Sequence, residues 1–370
     1  MSETNTSAAA NLPEGIAKCA TTCPMCGHKH AQYRINPQLY WFTDAEIDRK
    51  PSGFHCRQSL EGYYPPLYEI WHCPQCHYTA HNRVFPDPLK HVYIEKTMVG
   101  RRLEEMRKGN PGMQRVTEAL GTGLAFEKTD FVQAIRLNLL EIYYLRFLVD
   151  ILNQGHEGLA RSYLRLAWMI RDWHAMVPER AEQEAKLNRL LDAVSADWPE
   201  CPRSENDALE MACRWFVDAL NRTQAGENPV ETCTTMMQVA RIRVKMEALD
   251  EARTQLADCQ RTIMSELDTL TRVMNEDLRT RKLTEEQRGK MLSDSRKLRS
   301  MIDECRILFE KVGKKPVADP RKRAEALIAA NPRMAGTALR KVLEDNGIPA
   351  QLARELVPEK REGLFGGLFK

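Results

Sequence analysis

The sequence has little excess charge and no long apolar run. Its 370 residues carry 54 lysines and arginines against 51 aspartates and glutamates, a net charge of +3, which is far from the strongly basic composition of a dedicated nucleic-acid binder. No run of about 18 apolar residues occurs, so no transmembrane segment is expected. The first eighteen residues lack a basic n-region and an apolar core, which argues against a secretory signal. We therefore expect a cytoplasmic protein.

The eleven cysteines do not follow the pattern of an oxidised scaffold. Such scaffolds are short secreted chains, whereas this chain is long enough to bury a sizeable core of its own. Some cysteines stand singly in helix-like sequence and are expected to be reduced thiols: Cys201, Cys213, Cys233, Cys259 and Cys305. The others lie between residues 19 and 76.

Two short motifs carry the clearest chemical signal, Cys23-Pro-Met-Cys26 and Cys73-Pro-Gln-Cys76. Each motif can turn two thiolates toward one point, and tetrahedral zinc takes four such ligands at about 2.3 Å. We predict a structural Zn²⁺ bound by Cys23, Cys26, Cys73 and Cys76. Four sulfur ligands leave no open position for catalysis. Redox cysteines, chance pairs and iron in place of zinc are the alternatives.

The 46 residues between the two pairs exceed the usual spacing and predict an inserted loop. This region is rich in histidine, and several side chains lie near enough in sequence to complete a metal site or to surround it: Cys19, Cys56, His28, His72 and His77. His55 beside Cys56 resembles a base and a nucleophile, but neighbours in an extended segment point to opposite faces. We therefore expect no enzymatic activity. Residues 67–72 alternate apolar and polar groups and predict a strand that leads to Cys73.

After Pro88 the pattern becomes helical. Segment 131–149 is apolar on nearly every side, as in a helix buried between neighbours. The helical segments that follow are typical of tetratricopeptide-like hairpins, although that consensus does not align through three units. Asn228-Pro229 predicts the start of one helix, and the spacing of Thr284 to Gln287 predicts a capping box on the second arm of a long antiparallel hairpin.

The predicted fold is mainly α, with a small N-terminal zinc-ribbon or zinc-knuckle domain containing short β-strands, then a tetratricopeptide-like helical array and a C-terminal helical hairpin. The predicted segments, in chain order, are a disordered lead-in (1–18), the zinc knuckle with its inserted loop (19–90), the helical-repeat-like array (91–250), the long helical hairpin (251–313), a basic linker with a small helical end (314–362) and a Leu/Phe tail (363–370).

Three segments together resemble the bacterial family called domain of unknown function 2225: residues 23–27, 68–80 and 163–168. The resemblance covers roughly residues 18–250 and does not extend to the long hairpin or the tail. It implies a zinc site at the cysteine pairs and helices similar to tetratricopeptide repeats, and it brings no activity with it. His77 stands where the second knuckle of the family usually has a glycine, so either His77 adopts a left-handed backbone or the turn differs.

Our leading functional hypothesis is a scaffold that binds a protein partner through the helical array or the tail. The tail presents four apolar groups on a glycine-rich terminus, Leu364, Phe365, Leu368 and Phe369. It is too short to span a bilayer, and it suits docking to a protein groove or a membrane surface unless it is a frayed end. The alternatives are a nucleic-acid binder that uses the knuckle, Arg101, Arg102 and the basic linker, or an enzyme that uses the histidine-rich insert.

Overall fold

The computed structural model describes residues 12–85, 96–124, 128–222, 228–314 and 336–345, together with single positions at 324, 327, 328, 353, 354, 356 and 357. Across this part of the chain the protein is mainly helical, and short antiparallel strand pairs precede the first helix. The predicted fold class, mainly α with a small β-containing N-terminal unit, is confirmed in these terms. No helix in the described ranges is both long and apolar enough to cross a membrane.

The N-terminal unit consists of three hairpins. Strands β1 (Ile16–Thr22) and β2 (Lys29–Ile35) flank the first cysteine pair, and β5 (Ile70–His72) and β6 (Thr79–His81) flank the second. Between them lies a middle hairpin of β3 (Tyr40–Ala45) and β4 (Pro51–Cys56), so the insert is folded.

Two local predictions differ from the structure. Strand β1 begins inside the segment predicted to be disordered, because Ile16 is buried in the main core and pairs with Ile35 on β2. The strand predicted from Leu67 begins only at Ile70, and the chain before it, Pro65–Tyr68, is a 3-10 helix. Two consecutive prolines fix the φ angle there and remove two amide donors, which favours a helical turn over a ladder.

The helices follow in order: α1 (Lys96–Gly109), α2 (Pro111–Gly121), α3 (Phe131–Leu152), α4 (His156–Met176), α5 (Ala181–Val194), α6 (Glu205–Arg222), α7 (Pro229–Lys245), α8 (Leu249–Thr280), α9 (Glu285–Lys314) and α10 (Gly336–Asp345). The predicted start at Asn228 is confirmed, since its side chain accepts from the amide of Glu231. The capping box is also confirmed: the Thr284 amide donates to Gln287 Oε1 and the Gln287 amide donates to Thr284 Oγ1.

Two large cores contain most of the described helices. The main core runs from the strands through α2–α6, with the predicted buried helix α3 at its centre. The second core lies among α7, α8 and α9, where Leu256 and Ile263 pack with Leu298 and Leu308 as the hairpin prediction requires. Helix α4 packs directly against α6, while α5 packs against α2. Successive helices therefore do not all pack on one another in chain order, as they would in a regular stack of helical hairpins. The repeat-like character of the array stays a prediction.

The turn of the middle hairpin, residues 46–50, reaches into the helical body. Asp48 is fully buried there. Arg171 on α4 donates to Asp48 Oδ2 at 2.8 Å and to Glu46 Oε2 at 2.6 Å, and Trp168 Nε1 donates to Asp48 Oδ2 at 3.0 Å. A buried carboxylate in low dielectric needs such partners.

The same turn also contacts three later helices. Arg171 links it to Glu205 on α6, with Nε–Oε1 at 2.8 Å. Gln238 on α7 donates to the Asp48 carbonyl at 2.9 Å, and Arg49 donates to Glu304 on α9 at 2.8 Å. The turn therefore joins the N-terminal unit to both cores.

We expect Asp48→Ala to lower the free energy of unfolding by about 3 kcal/mol, because it leaves Arg171 undercompensated and Trp168 Nε1 without its acceptor. Urea denaturation measures the change. The control is Asp192→Ala, which removes an exposed partner of Arg203 and should leave stability close to wild type. Equal effects of the two substitutions would contradict the structural role of the turn.

Candidate metal centre

The structure brings the four predicted cysteines together. The Sγ atoms of Cys23, Cys26, Cys73 and Cys76 all lie within 4.8 Å of one another. The Cys23–Cys76 distance is 3.5 Å and the Cys26–Cys73 distance is 3.6 Å. A tetrahedron with metal–sulfur bonds of about 2.3 Å has edges of about 3.8 Å. All eleven cysteines are free, so this donor set could bind one metal ion.

The two cysteine turns close with the same hydrogen bonds. In the first, the Cys23 amide donates to the His28 carbonyl at 2.9 Å, and the Gly27 amide donates to the Cys23 carbonyl at 3.0 Å. In the second, the Cys73 amide donates to the carbonyl five residues later at 2.8 Å, and the His77 amide donates back to Cys73 at 2.9 Å. Each pair of thiols is thereby directed to one point.

His77 adopts the left-handed backbone, with φ at 60°, and Gly27 has φ at 74° in the equivalent position. Two possibilities were predicted, a left-handed backbone at His77 or a different turn, and the first is correct. The imidazole ring rests on α2, where a Cβ added to Gly121 would lie 2.4 Å from His77 Nδ1. A Cβ added to Gly100 on α1 would lie 2.9 Å from the Pro24 carbonyl oxygen. Helices α1 and α2 therefore pack against the two turns through glycines.

Helix α3 anchors the second turn. Tyr144 Oη donates to the Cys76 carbonyl at 3.0 Å, and its ring packs edge-on against Tyr78 with centroids 5.4 Å apart. Glu141, which is buried, accepts from the His81 amide at 2.8 Å. These contacts of α3 were not predicted from the sequence. The polar residues inside the otherwise apolar segment 131–149 are the feature that indicates them.

The additional cysteines and histidines near the turns do not join the four-sulfur group. Buried His72 shares a hydrogen bond with Thr79 Oγ1 at 2.8 Å, and burial together with His77 lowers the pKa of His72 to about 3. The ring of His28 stacks on His30, with centroids 5.6 Å apart. Among the described residues, the candidate ligand group contains the four cysteines and none of these histidines.

Cys56 and His55 do not face each other. Both lie on β4, and the His55 ring stacks on Trp41 of β3 at a centroid distance of 5.7 Å. Cys19 interacts with the Ala17 carbonyl at 3.8 Å. Among the cysteines of the helices, burial raises the pKa of Cys213 to about 11, which keeps that thiol protonated near neutral pH.

Two of the four thiols, Cys73 and Cys76, have pKa values shifted in opposite directions. Sulfur contacts with Cys23 and Cys76 lower the pKa of Cys73, whereas contacts with Cys23 and Cys73 raise the pKa of Cys76. Like charges at these distances cannot all ionise without compensation. A bound divalent cation supplies that compensation and lets every sulfur become a thiolate.

The predicted partner-binding tail and most of the predicted basic linker lie outside the described part of the chain. The tail residues concerned are Leu364, Phe365, Leu368 and Phe369.

Fold and site together define a mainly helical protein with an N-terminal four-cysteine unit that could bind a metal. The sequence matches the family described as "Uncharacterized protein conserved in bacteria (DUF2225)" over residues 16–288. The chain belongs to this family, as the resemblance indicated. The match includes all of α8, so the expectation that it stops before the long hairpin is wrong. No curated protein and no solved structure matches the chain.

We expect Gly121→Ala to lower the free energy of unfolding by about 2 kcal/mol, because the new methyl group collides with His77. The control is Gly158→Ala on α4, where a Cβ meets nothing within 4 Å and added helix propensity should slightly stabilise.

Chemical denaturation of Gly121→Ala in the wild-type and His77→Gly backgrounds completes a double-mutant cycle. The cost of Gly121→Ala should shrink when the imidazole is absent. An unchanged cost would show that α2 does not pack on the second turn as described.

Proposed function

We propose that this chain is a cytoplasmic, non-enzymatic scaffold in which a structural Zn²⁺ stabilises the N-terminal unit and the helical body binds a protein partner. The observation that carries the proposal is the closed set of four sulfur donors built into the main core. Two chain segments converge there, and helices α1, α2 and α3 pack on the turns that present the thiols.

Zinc is the metal that best fits this donor set. Tetrahedral thiolate sites favour zinc or iron–sulfur centres, and the sulfur–sulfur distances of 3.5 and 3.6 Å suit a single ion. Cys23, Cys73 and Cys76 are buried, and Cys26 is partly buried. With every ligand position taken by sulfur, a bound ion has no place for substrate or water. Its contribution is to hold the fold.

The long hairpin of α8 and α9 supports the assignment of a protein partner. Six large apolar side chains are notably exposed in the described ranges, and four of them lie on these two helices: Met264, Leu278, Leu292 and Ile307. Leu278, near the end of α8, is 79% exposed. Apolar side chains concentrated on one exposed element favour a binding surface. Residues 363–370 are proposed as a second contact, to the same partner or to a membrane surface.

A nucleic-acid partner is the second candidate. Arg101 and Arg102 are exposed and follow Gly100, the residue that touches the first cysteine turn. Two cations beside a knuckle suit phosphate contacts. Retention on RNA or DNA that falls steeply with added salt would favour this candidate, and no retention at low salt would remove it.

For the metal, we expect elemental analysis of the purified chain to find about one zinc per chain. Cys73→Ser should lose the ion and much of the N-terminal structure, since metal binding and folding are coupled. Cys56→Ser is the matched control in the same unit and should retain the ion. Iron at the same stoichiometry would refute the choice of zinc, and a metal-free, folded protein would refute the structural role.

For the partner, we expect affinity capture with the full chain to recover a specific protein. A Leu278→Ser/Ile307→Ser variant should lose it, because the apolar contact area is removed. Met176→Ser is the control, since Met176 is similarly exposed but lies on α4. A variant lacking 363–370 tests the tail separately. If neither the full chain nor any of these variants recovers a protein, the scaffold proposal fails.

A further inference from the structure

A cavity of about 100 Å³ lies away from the cysteines, between the middle hairpin, the chain around Pro65–Tyr68 and helices α3 and α4. Aromatic and aliphatic side chains form most of its walls: Phe42, Pro51, Tyr64, Pro66, Ile70, Trp168 and Met169. An apolar enclosure with a few polar groups is typical of small-molecule sites.

Three of the lining side chains are aromatic, and their polar atoms are engaged elsewhere. Tyr64 Oη donates to Asp172 Oδ2 at 2.8 Å, and Trp168 Nε1 donates to Asp48 Oδ2 at 3.0 Å. Phe42 has no polar side-chain atom. The three rings therefore offer the cavity carbon atoms and no free donor. Aromatic rings of this kind attract cations, because the face of a ring carries a negative potential.

The two cations in the lining are already compensated. Lys50 Nζ lies 2.6 Å from Asp172 Oδ1, and Arg165 Nη2 donates to Glu141 Oε2 at 2.6 Å. The amide of Asn138, which also lines the cavity, donates to a backbone carbonyl of its own helix at 2.8 Å. These groups require no anion from a ligand.

Glu69 is the carboxylate in the lining that lacks a close cation. His81 Nε2 is 4.0 Å away, and burial and Arg165 lower the pKa of His81 to about 4, so its imidazole is neutral near pH 7. Among the described residues no lysine or arginine lies within 4.0 Å of the Glu69 carboxylate. Burial raises the pKa of Glu69, yet 40% of its side-chain surface is accessible. A ligand cation can therefore reach it.

We propose that this cavity binds a small quaternary ammonium compound, with its trimethylammonium group between the aromatic side chains and the Glu69 carboxylate. The positive charge compensates Glu69, and the methyl groups contact the apolar walls. A primary ammonium group would bring three N–H donors, for which these walls offer few acceptors, whereas a quaternary nitrogen brings none. The volume of about 100 Å³ holds several water molecules and thus accommodates one such group with a short substituent.

Isothermal titration calorimetry of the full chain tests the proposal with three matched probes. Choline carries the trimethylammonium group, neohexanol has the same shape with carbon in place of the charged nitrogen, and ethanolamine keeps a charged nitrogen without the methyl groups. We expect choline to bind at least about tenfold more tightly than either other probe, because choline alone suits both the carboxylate and the apolar walls. Failure of choline to bind at millimolar concentration would overturn the proposal, as would an equal affinity for neohexanol or ethanolamine.

The same chemical group occurs in free compounds and in lipid headgroups, and vesicles separate these sources. Sedimentation of the chain with phosphatidylcholine vesicles, reversed by free choline, would support the site with a lipid headgroup as its ligand. Binding of choline in calorimetry without vesicle binding would support the site with a free compound as its ligand.

Glu69→Gln supplies a test on the protein side, since it keeps the shape of the side chain and removes its charge. Choline should bind this variant at least about tenfold more weakly, while its far-ultraviolet circular dichroism spectrum should match that of wild type. Glu157→Gln, on the exposed start of α4, is the control and should bind choline as wild type does. Unchanged binding of choline by Glu69→Gln would overturn the assignment.

Discussion

Four sulfur atoms held within 4.8 Å impose the main constraint on this fold. They join two segments separated by 46 residues, and a bound cation would compensate the charge of four thiolates. The helices then pack on the convergent turns: α1 and α2 through glycines, and α3 through Tyr144. Because α3 is also the centre of the main core, the geometry of the cysteine turns sets the position of the helices that follow.

The insert between the cysteine pairs is a structural connector. Its middle hairpin carries buried Asp48 into the helical body, where Arg171 binds the carboxylate and Gln238 donates to the Asp48 backbone carbonyl. The hairpin also contributes Lys50 and Phe42 to the lining of a cavity of about 100 Å³, together with Glu69 and Arg165. An insert predicted to be a loop therefore joins the four-cysteine unit, both large cores and a largely apolar cavity.

Sequence patterns predicted the structural features that depend on residues close together in the chain. Paired cysteines predicted the four-cysteine group, and the caps at Asn228 and Thr284 follow from backbone donors that short polar side chains satisfy. The long-range contacts left no local signal: Asp48 and Arg171 are 123 residues apart. Local patterns can also conflict with one another. The alternating pattern from Leu67 favours a strand, but Pro65-Pro66 favours a helical turn, and the strand begins only at Ile70. Burial at Ile16 extended β1 into sequence whose composition suggested disorder.

The turn of the middle hairpin also has a consequence for biosynthesis. The last of the four cysteines is residue 76, so the whole four-cysteine group is synthesised before any residue of α1. The partners of the turn arrive much later, since Gln238 follows Asp48 by 190 residues and Glu304 follows Arg49 by 255. During translation the four cysteines can thus come together while the turn, still hydrated, has none of these helical partners. The last of them, Glu304, becomes available only when α9 is synthesised.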